Sequence, residues 1–173
     1  MNKNFKSKLL PLSLALFVII LDQITKTLIV KNIPLNTIGA EFFGDFLRII
    51  HVSNTGVAFS VGAAWSDIVR FASFVIVPVI VIILVFIVYF RNNEWTVLQR
   101  WAIMGIVGGG IGNLIDRLFR GGSVVDYLDV RLFSFAVFNF ADCCVVVGVI
   151  LFAIYLFFFD GKKKSAKQKE ETA

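Results

Sequence analysis

Histidine is nearly missing from this chain: His51 is the only one among 173 residues. A Ser-His-Asp or Cys-His site is therefore poorly supplied, and the lack of an HExxH run speaks against a zinc protease. Cysteine is scarce as well. Cys143 and Cys144 are adjacent in an apolar run. Such neighbours cannot easily bridge, no metal-type spacing surrounds them, and they read as small packing residues. Basic residues outnumber acidic ones by 17 to 12, a formal charge of +5, which alone would suit a nucleic-acid ligand. Their distribution argues otherwise. They gather at the N-terminus, in one short loop and in the tail, as membrane proteins mark their cytoplasmic side. No nucleic-acid partner is expected.

What is abundant is apolar. Hydrophobic residues make up 58% of the chain and the mean hydropathy is +0.84, whereas soluble domains are nearer half apolar. The length suggests one domain. A spanning helix needs roughly 20 mostly apolar residues, and four stretches qualify: 9–30, 68–90, 97–118 and 138–159. The first has the basic start of a signal peptide (Lys3, Lys6, Lys8). It is too long, however, contains Asp22 and Lys26, and lacks a small-residue cleavage site, so it reads as a retained span. Pro78 inside the second can kink the helix without breaking it.

An even number of spans puts both termini on one side. The basic clusters at Lys3 to Lys8, at Arg91 and Arg100, and at Lys162 to Lys169 then all fall in the cytoplasm. Segments 31–67 and 119–137 become extracytoplasmic. In the first of these, 46–52 and 57–61 have strand composition around a turn at Asn54-Thr55-Gly56. They predict a small antiparallel sheet on the membrane surface, to which Val124 to Leu132 adds. The fold class is an all-α membrane protein, a four-transmembrane-helix bundle with a small extracytoplasmic sheet. Residues 1–160 form a single integral membrane domain, and 161–173 a disordered, basic cytoplasmic tail.

A charge inside a span costs several kcal/mol and marks a functional site by default. With this topology Asp22 and Lys26 lie in the outer half of span one. Asn113, Asp116 and Arg117 sit at the outer end of span three, and Asn139 and Asp142 at the outer start of span four. Asp126 lies in the loop between them, so the polar groups converge on one level. Asn113, Asp116 and Arg117 share a helix face, as do Asn139 and Asp142. Gly105, Gly108, Gly109 and Gly112 let another helix approach span three closely. The available chemistry is that of carboxylates. Two aspartates held close share a proton. The charged one takes a proton from an attacking water and the protonated one polarises the carbonyl oxygen.

The runs Gly112-Asn113-Leu114-Ile115-Asp116-Arg117, Val124-Val125-Asp126 and Phe138-Asn139-Phe140-Ala141-Asp142 resemble the motifs of type II (prolipoprotein) signal peptidases. Asp22-Gln23-x-x-Lys26 and Asn54-Thr55-Gly56-x-Ala58-Phe59 resemble two further motifs, and all five occur in order along the whole chain. The resemblance implies four helices with an outer β-cradle and a membrane aspartic endopeptidase. Such an enzyme cleaves on the N-terminal side of a cysteine carrying a diacylglyceryl group. Asp126 and Asp142 would be the catalytic pair. Asn54, Asn113, Asp116, Arg117 and Asn139 would orient substrate and hold the site, while Asp22 and Lys26 would be structural. The implied partners are diacylglyceryl-modified prolipoproteins and membrane lipids. No cofactor is implied, and a monomer is expected.

Asp116 competes with Asp126 to partner Asp142. Asp116 is followed by Arg117 and reads as a salt-bridged structural carboxylate, whereas Asp126 lacks an adjacent cation. Asp129 is a weaker candidate with a surface role. Cys143 stands where relatives are expected to carry Ser or Thr. Among other functions, a proton path would need polar residues at several depths, but the inner halves of spans two and four are almost wholly apolar. A purely structural subunit would not need acids gathered at one level. A presenilin-like site would want GxGD, and a rhomboid-like site a histidine at helix depth.

Overall fold

The computed structural model describes residues 7–44, 46–56, 61–131 and 135–159. The expected strand at 57–61 and the tail at 161–173 fall largely or wholly outside them. Among the described residues four helices are long and apolar enough to cross a membrane: Ser7–Asn32, Asp67–Arg91, Val97–Phe119 and Phe140–Phe158. They are α1 (regular over Leu12–Asn32), α2, α3 and α4. The strands β1 (Ile38–Phe42), β2 (Leu47–Asn54) and β3 (Val124–Val130) form one antiparallel sheet in that order.

The central helix is α3. It carries five of the six glycines in the four helices, and Gly105, Gly108, Gly109 and Gly112 are all buried along it. Its start is fixed by a capping box between Thr96 and Gln99, which satisfies otherwise orphaned first-turn donors. The buried stripe of α1 is Ala15, Val18, Asp22 and Lys26. Their three- and four-residue spacing aims two apolar and then two charged side chains at the same neighbour. Helix α2 is apolar nearly all round and mostly exposed, as suits a helix whose solvent is hydrocarbon. One turn of it, Ala72–Ile76, is wound as π-helix. Pro78 has no N–H to return to the Phe74 carbonyl, and the widened turn ahead of it lets the helix continue.

At one end of the bundle the turn between α2 and α3 is bound to the start of the chain. Lys8 donates to the Phe90 carbonyl and to Asn93 Oδ1, both at 2.7 Å. The Tyr89 hydroxyl donates back to the Lys8 carbonyl at 2.7 Å.

The sheet sits at the other end. The strand at 46–52 exists, but its hairpin partner is β1, upstream of it, joined through Phe43 and Gly44 at positive φ. The other edge of β2 is taken by β3, with Asn54 opposite Val124 and Val52 opposite Asp126. The pairing shifts between Ile49 and Val52, an irregularity of the kind that bends a strand. After β3 the chain doubles back, and Phe138 bridges to Leu128 with N–H···O bonds of 2.8 and 3.0 Å. That bridge delivers Asn139 and the start of α4 beside Asp126.

Candidate active site

A cleft of about 850 Å³ opens at the sheet end of the bundle. Its walls are overwhelmingly apolar, with Phe74, Pro78, Leu114, Phe138 and the Val145 to Val147 run among them. Into this surface project Asn54, Asn113, Arg117, Asp126 and Asp142. The two expected carboxyls thus face one space, brought there by β3 and by the first turn of α4.

Asn139 holds both of them. It is the N-cap of α4, and its Oδ1 accepts the Asp142 N–H at 3.0 Å while its own N–H donates to Asp142 Oδ2 at 3.0 Å. Its Nδ2 then donates to Asp126 Oδ1 at 2.7 Å. A capping box, ordinarily a device for starting a helix, here grips a carboxyl in each hand. Asn113 Nδ2 donates to the second oxygen of Asp142 at 2.8 Å, and Asn54 Nδ2 to the second oxygen of Asp126 at 2.9 Å.

The amide orientations follow from partners that can only donate. The Asn54 Oδ1 accepts the Gly56 N–H at 3.0 Å, which leaves its NH₂ for Asp126. Asn139 Oδ1 must meet the Asp142 N–H, and Asn113 Oδ1 must meet the Lys26 ammonium at 2.9 Å. Each amide is therefore fixed by a donor behind it and turns its NH₂ toward a carboxylate. Asp126 is only 3% exposed. Burial pushes its carboxyl up to about 6, and the neighbouring Asp142 adds to the rise, while the amides of Asn54 and Asn139 oppose it.

The remaining expected residues brace this pair. Asp22 accepts the Ala141 N–H at 3.2 Å, tying α1 to the first turn of α4, and pairs with Lys26 at 2.8 Å. Asp116 is wholly buried and does not partner Asp142. Its cations are Lys26 at 3.3 Å and Arg120 at 3.0 Å, and it accepts the Val125 N–H at 3.0 Å. The expected partner Arg117 points elsewhere, because adjacent helix positions diverge whereas i and i+4 share a face. Arg117 donates to the Gly56 carbonyl at 2.5 Å and to the Gly122 carbonyl at 3.1 Å, and its guanidinium lies 4.8 Å from the centre of the Phe74 ring. Asp129 pairs with Arg48 at 2.5 Å on the sheet, and the His51 ring bonds the Ile33 carbonyl at 2.8 Å.

The sequence reading gave no role to Gln23, Thr25 or Tyr127. Gln23 donates to Asp22, to Asp116 and to the Gly112 carbonyl at 3.0 to 3.2 Å. The Tyr127 hydroxyl donates to Thr25 at 3.0 Å and accepts the Phe140 N–H at 3.2 Å, satisfying an orphan donor at the start of α4. A tyrosine beside a candidate acid was the available signal for the last.

The model of the family described as signal peptidase (SPase) II matches residues 14–158. The chain belongs to the signal peptidase II family. A lipoprotein signal peptidase of Treponema pallidum (strain Nichols) is 42% identical over 155 residues, covering 86% of this chain and 83% of the relative. One of Borrelia hermsii (strain HS1 / DAH) is 43% identical over 164 residues, covering 91% and 95%. Among solved structures, one described as a bacterial membrane enzyme superposes with a TM-score of 0.75 at 30% identity, covering 84% of this chain and 86% of that one. This signal peptidase II is thus a bacterial multi-pass membrane protease, and its motif residues are those gathered around the cleft.

Proposed function

We propose that this signal peptidase II is an aspartic endopeptidase acting on diacylglyceryl-modified prolipoproteins, which it cuts on the N-terminal side of the lipidated cysteine. The observation that carries the reading is Asn139 gripping Asp126 and Asp142 on the wall of one apolar cleft. The apolar walls suit acyl chains and the end of a signal helix. The polar strip between the two aspartates suits a peptide bond. Asp142, at the positive end of α4 and more open to the cleft, is the carboxylate that takes a proton from water. Asp126, dry and next to it, holds the proton that polarises the scissile carbonyl.

The topology belongs to the same proposal. Residues 1–160 form one membrane domain, both termini lie in the cytoplasm, and the cleft opens at the outer face. A monomer suffices, since every group in the reading comes from one chain. Incubating purified protein with lipidated and unlipidated forms of one precursor tests it. Cleavage of the lipidated form alone, directly before the modified cysteine, is the expected result. Equal cleavage of both would remove the acyl chains from the reading.

A pH profile supplies a second test. The proton on Asp126 is needed for catalysis, so activity falls as rising pH removes it. In the free enzyme the alkaline limb of kcat/KM lies near pH 6. Substrate filling the cleft strips away more water and holds that proton longer, so the limb of kcat lies at higher pH. A kcat limb at or below that of kcat/KM would contradict this assignment of the acid.

A further inference from the structure

Lys26 takes no part in activating water, yet it touches the amide that holds Asp142. Its side chain is wholly buried. Nζ lies 2.8 Å from Asp22 Oδ2, 3.3 Å from Asp116 Oδ2 and 2.9 Å from Asn113 Oδ1. Two carboxylates already neutralise the ammonium, so its approach to a neutral amide has another consequence. An ammonium group only donates, and the Asn113 atom facing it must be oxygen. That leaves the Asn113 NH₂ for Asp142, and the same Oδ1 also accepts from Asn139 Nδ2 at 3.0 Å. Turned over, Asn113 would put NH₂ against an ammonium and a carbonyl against a carboxylate.

We propose that Lys26 is a positioning residue: it locks the Asn113 amide and thereby decides that Asp126, not Asp142, carries the proton the pair shares. The inference rests on the proteolytic reading above. The charged and titratable groups around Lys26 are Asp22 on its own helix, Asp116 on α3 with Arg120 just past that helix's end, Asp126 on β3 and, through Asn113, Asp142 on α4. Arg117 on α3, bonded to the Gly56 carbonyl, lines the cleft beside the pair, and its charge acts on both aspartates in wild type and variant alike. The charge of Lys26 also reaches Asp126 directly and favours its ionised form. Releasing Asn113 and removing that charge therefore both keep the shared proton bound to higher pH.

Lys26→Met alone would strand two buried carboxylates, so the test is the paired variant Lys26→Met/Asp22→Asn. It removes opposite charges together, leaves Asp116 with Arg120, and keeps a carbonyl for the Ala141 N–H. The expected result is a protein that reaches the membrane, with kcat lowered tenfold or more, roughly one charge-assisted hydrogen bond. Its alkaline limb of kcat/KM moves up by about one pH unit. Asp22→Asn alone does not raise the limb. A paired-variant profile that superimposes on the wild type, whatever its absolute rate, overturns the proposal. If turnover is too slow to follow, infrared titration of the carboxyl stretch decides it, with Asp126→Asn in each background identifying the band. In the paired variant the protonated band should be shared between Asp126 and Asp142, and a band that stays wholly on Asp126 overturns the lock. Full activity of Asp126→Asn in the wild-type background would instead sink the proteolytic reading itself.

Discussion

Asp126→Asn and Asp142→Asn each lower kcat/KM on a lipidated precursor by about 10³-fold or more, at wild-type protein levels in the membrane. General acid and general base steps are each worth about 10² to 10⁴, and a pair that shares one proton loses both functions when either member is neutralised. The double variant is therefore no slower than either single one, because groups acting as a unit are not additive. Folding survives for reasons visible at each site. Asn at 142 keeps an oxygen for the Asn139 N–H. Asn at 126 keeps one acceptor for Asn139, and Asn54 gives up one bond, at a cost of about 1 kcal/mol.

The sign of the linkage at Asp126 favours the variant. Its folded value near 6 stands above the reference of 3.8, so the native state binds more protons between those values and stability falls as pH rises through 6. An uncharged residue there is spared that loss at neutral pH. Precursor processing measured against membrane-inserted protein separates loss of chemistry from loss of fold. Near-normal cleavage by either variant would remove the dyad.

The sequence made the level of the site readable because charges in a membrane are costly enough to be rare. Asp22, Lys26, Asp116 and Asp142 stand out from apolar runs, and the positive-inside rule brings them together without any knowledge of packing. Their pairing was less legible. Adjacency suggested Arg117 for Asp116, but helix geometry gave that carboxylate Arg120, one turn on at the C-cap, and Lys26 from another helix. The first strand was invisible for a related reason. Ile38–Phe42 contains a glycine and a glutamate and is mostly exposed, so neither composition nor alternation marks it; pairing with β2 makes it a strand. The double grip of Asn139 combines a local capping rule, which spacing does show, with a reach to Asp126, which depends on the return of the chain at Phe138.

Close packing between α3 and α4 sets how accurately Asp142 meets Asp126, and Gly109→Ala is expected to destroy that accuracy. A β-carbon at Gly109 would collide with the Ala141 carbonyl and come within 2.8 Å of Val145 Cγ2. The first obstacle is backbone and cannot rotate away. The helices must part, and the residue displaced lies next to Asp142, in the turn whose N–H is bound to Asp22. Overpacking of this kind costs about 1 to 3 kcal/mol, and a shift approaching 1 Å at a reacting group costs about 10²-fold in rate. Gly105→Ala is the matched control on the same helix. Its β-carbon would meet nothing closer than the Cys144 carbonyl at 3.7 Å, an ordinary contact, so both stability and turnover stay near wild type. Thermal unfolding in detergent and turnover, measured on the two variants side by side, check the contrast. Equal behaviour would mean that the position of Asp142 is set by its hydrogen bonds alone and not by the glycine seam beneath it.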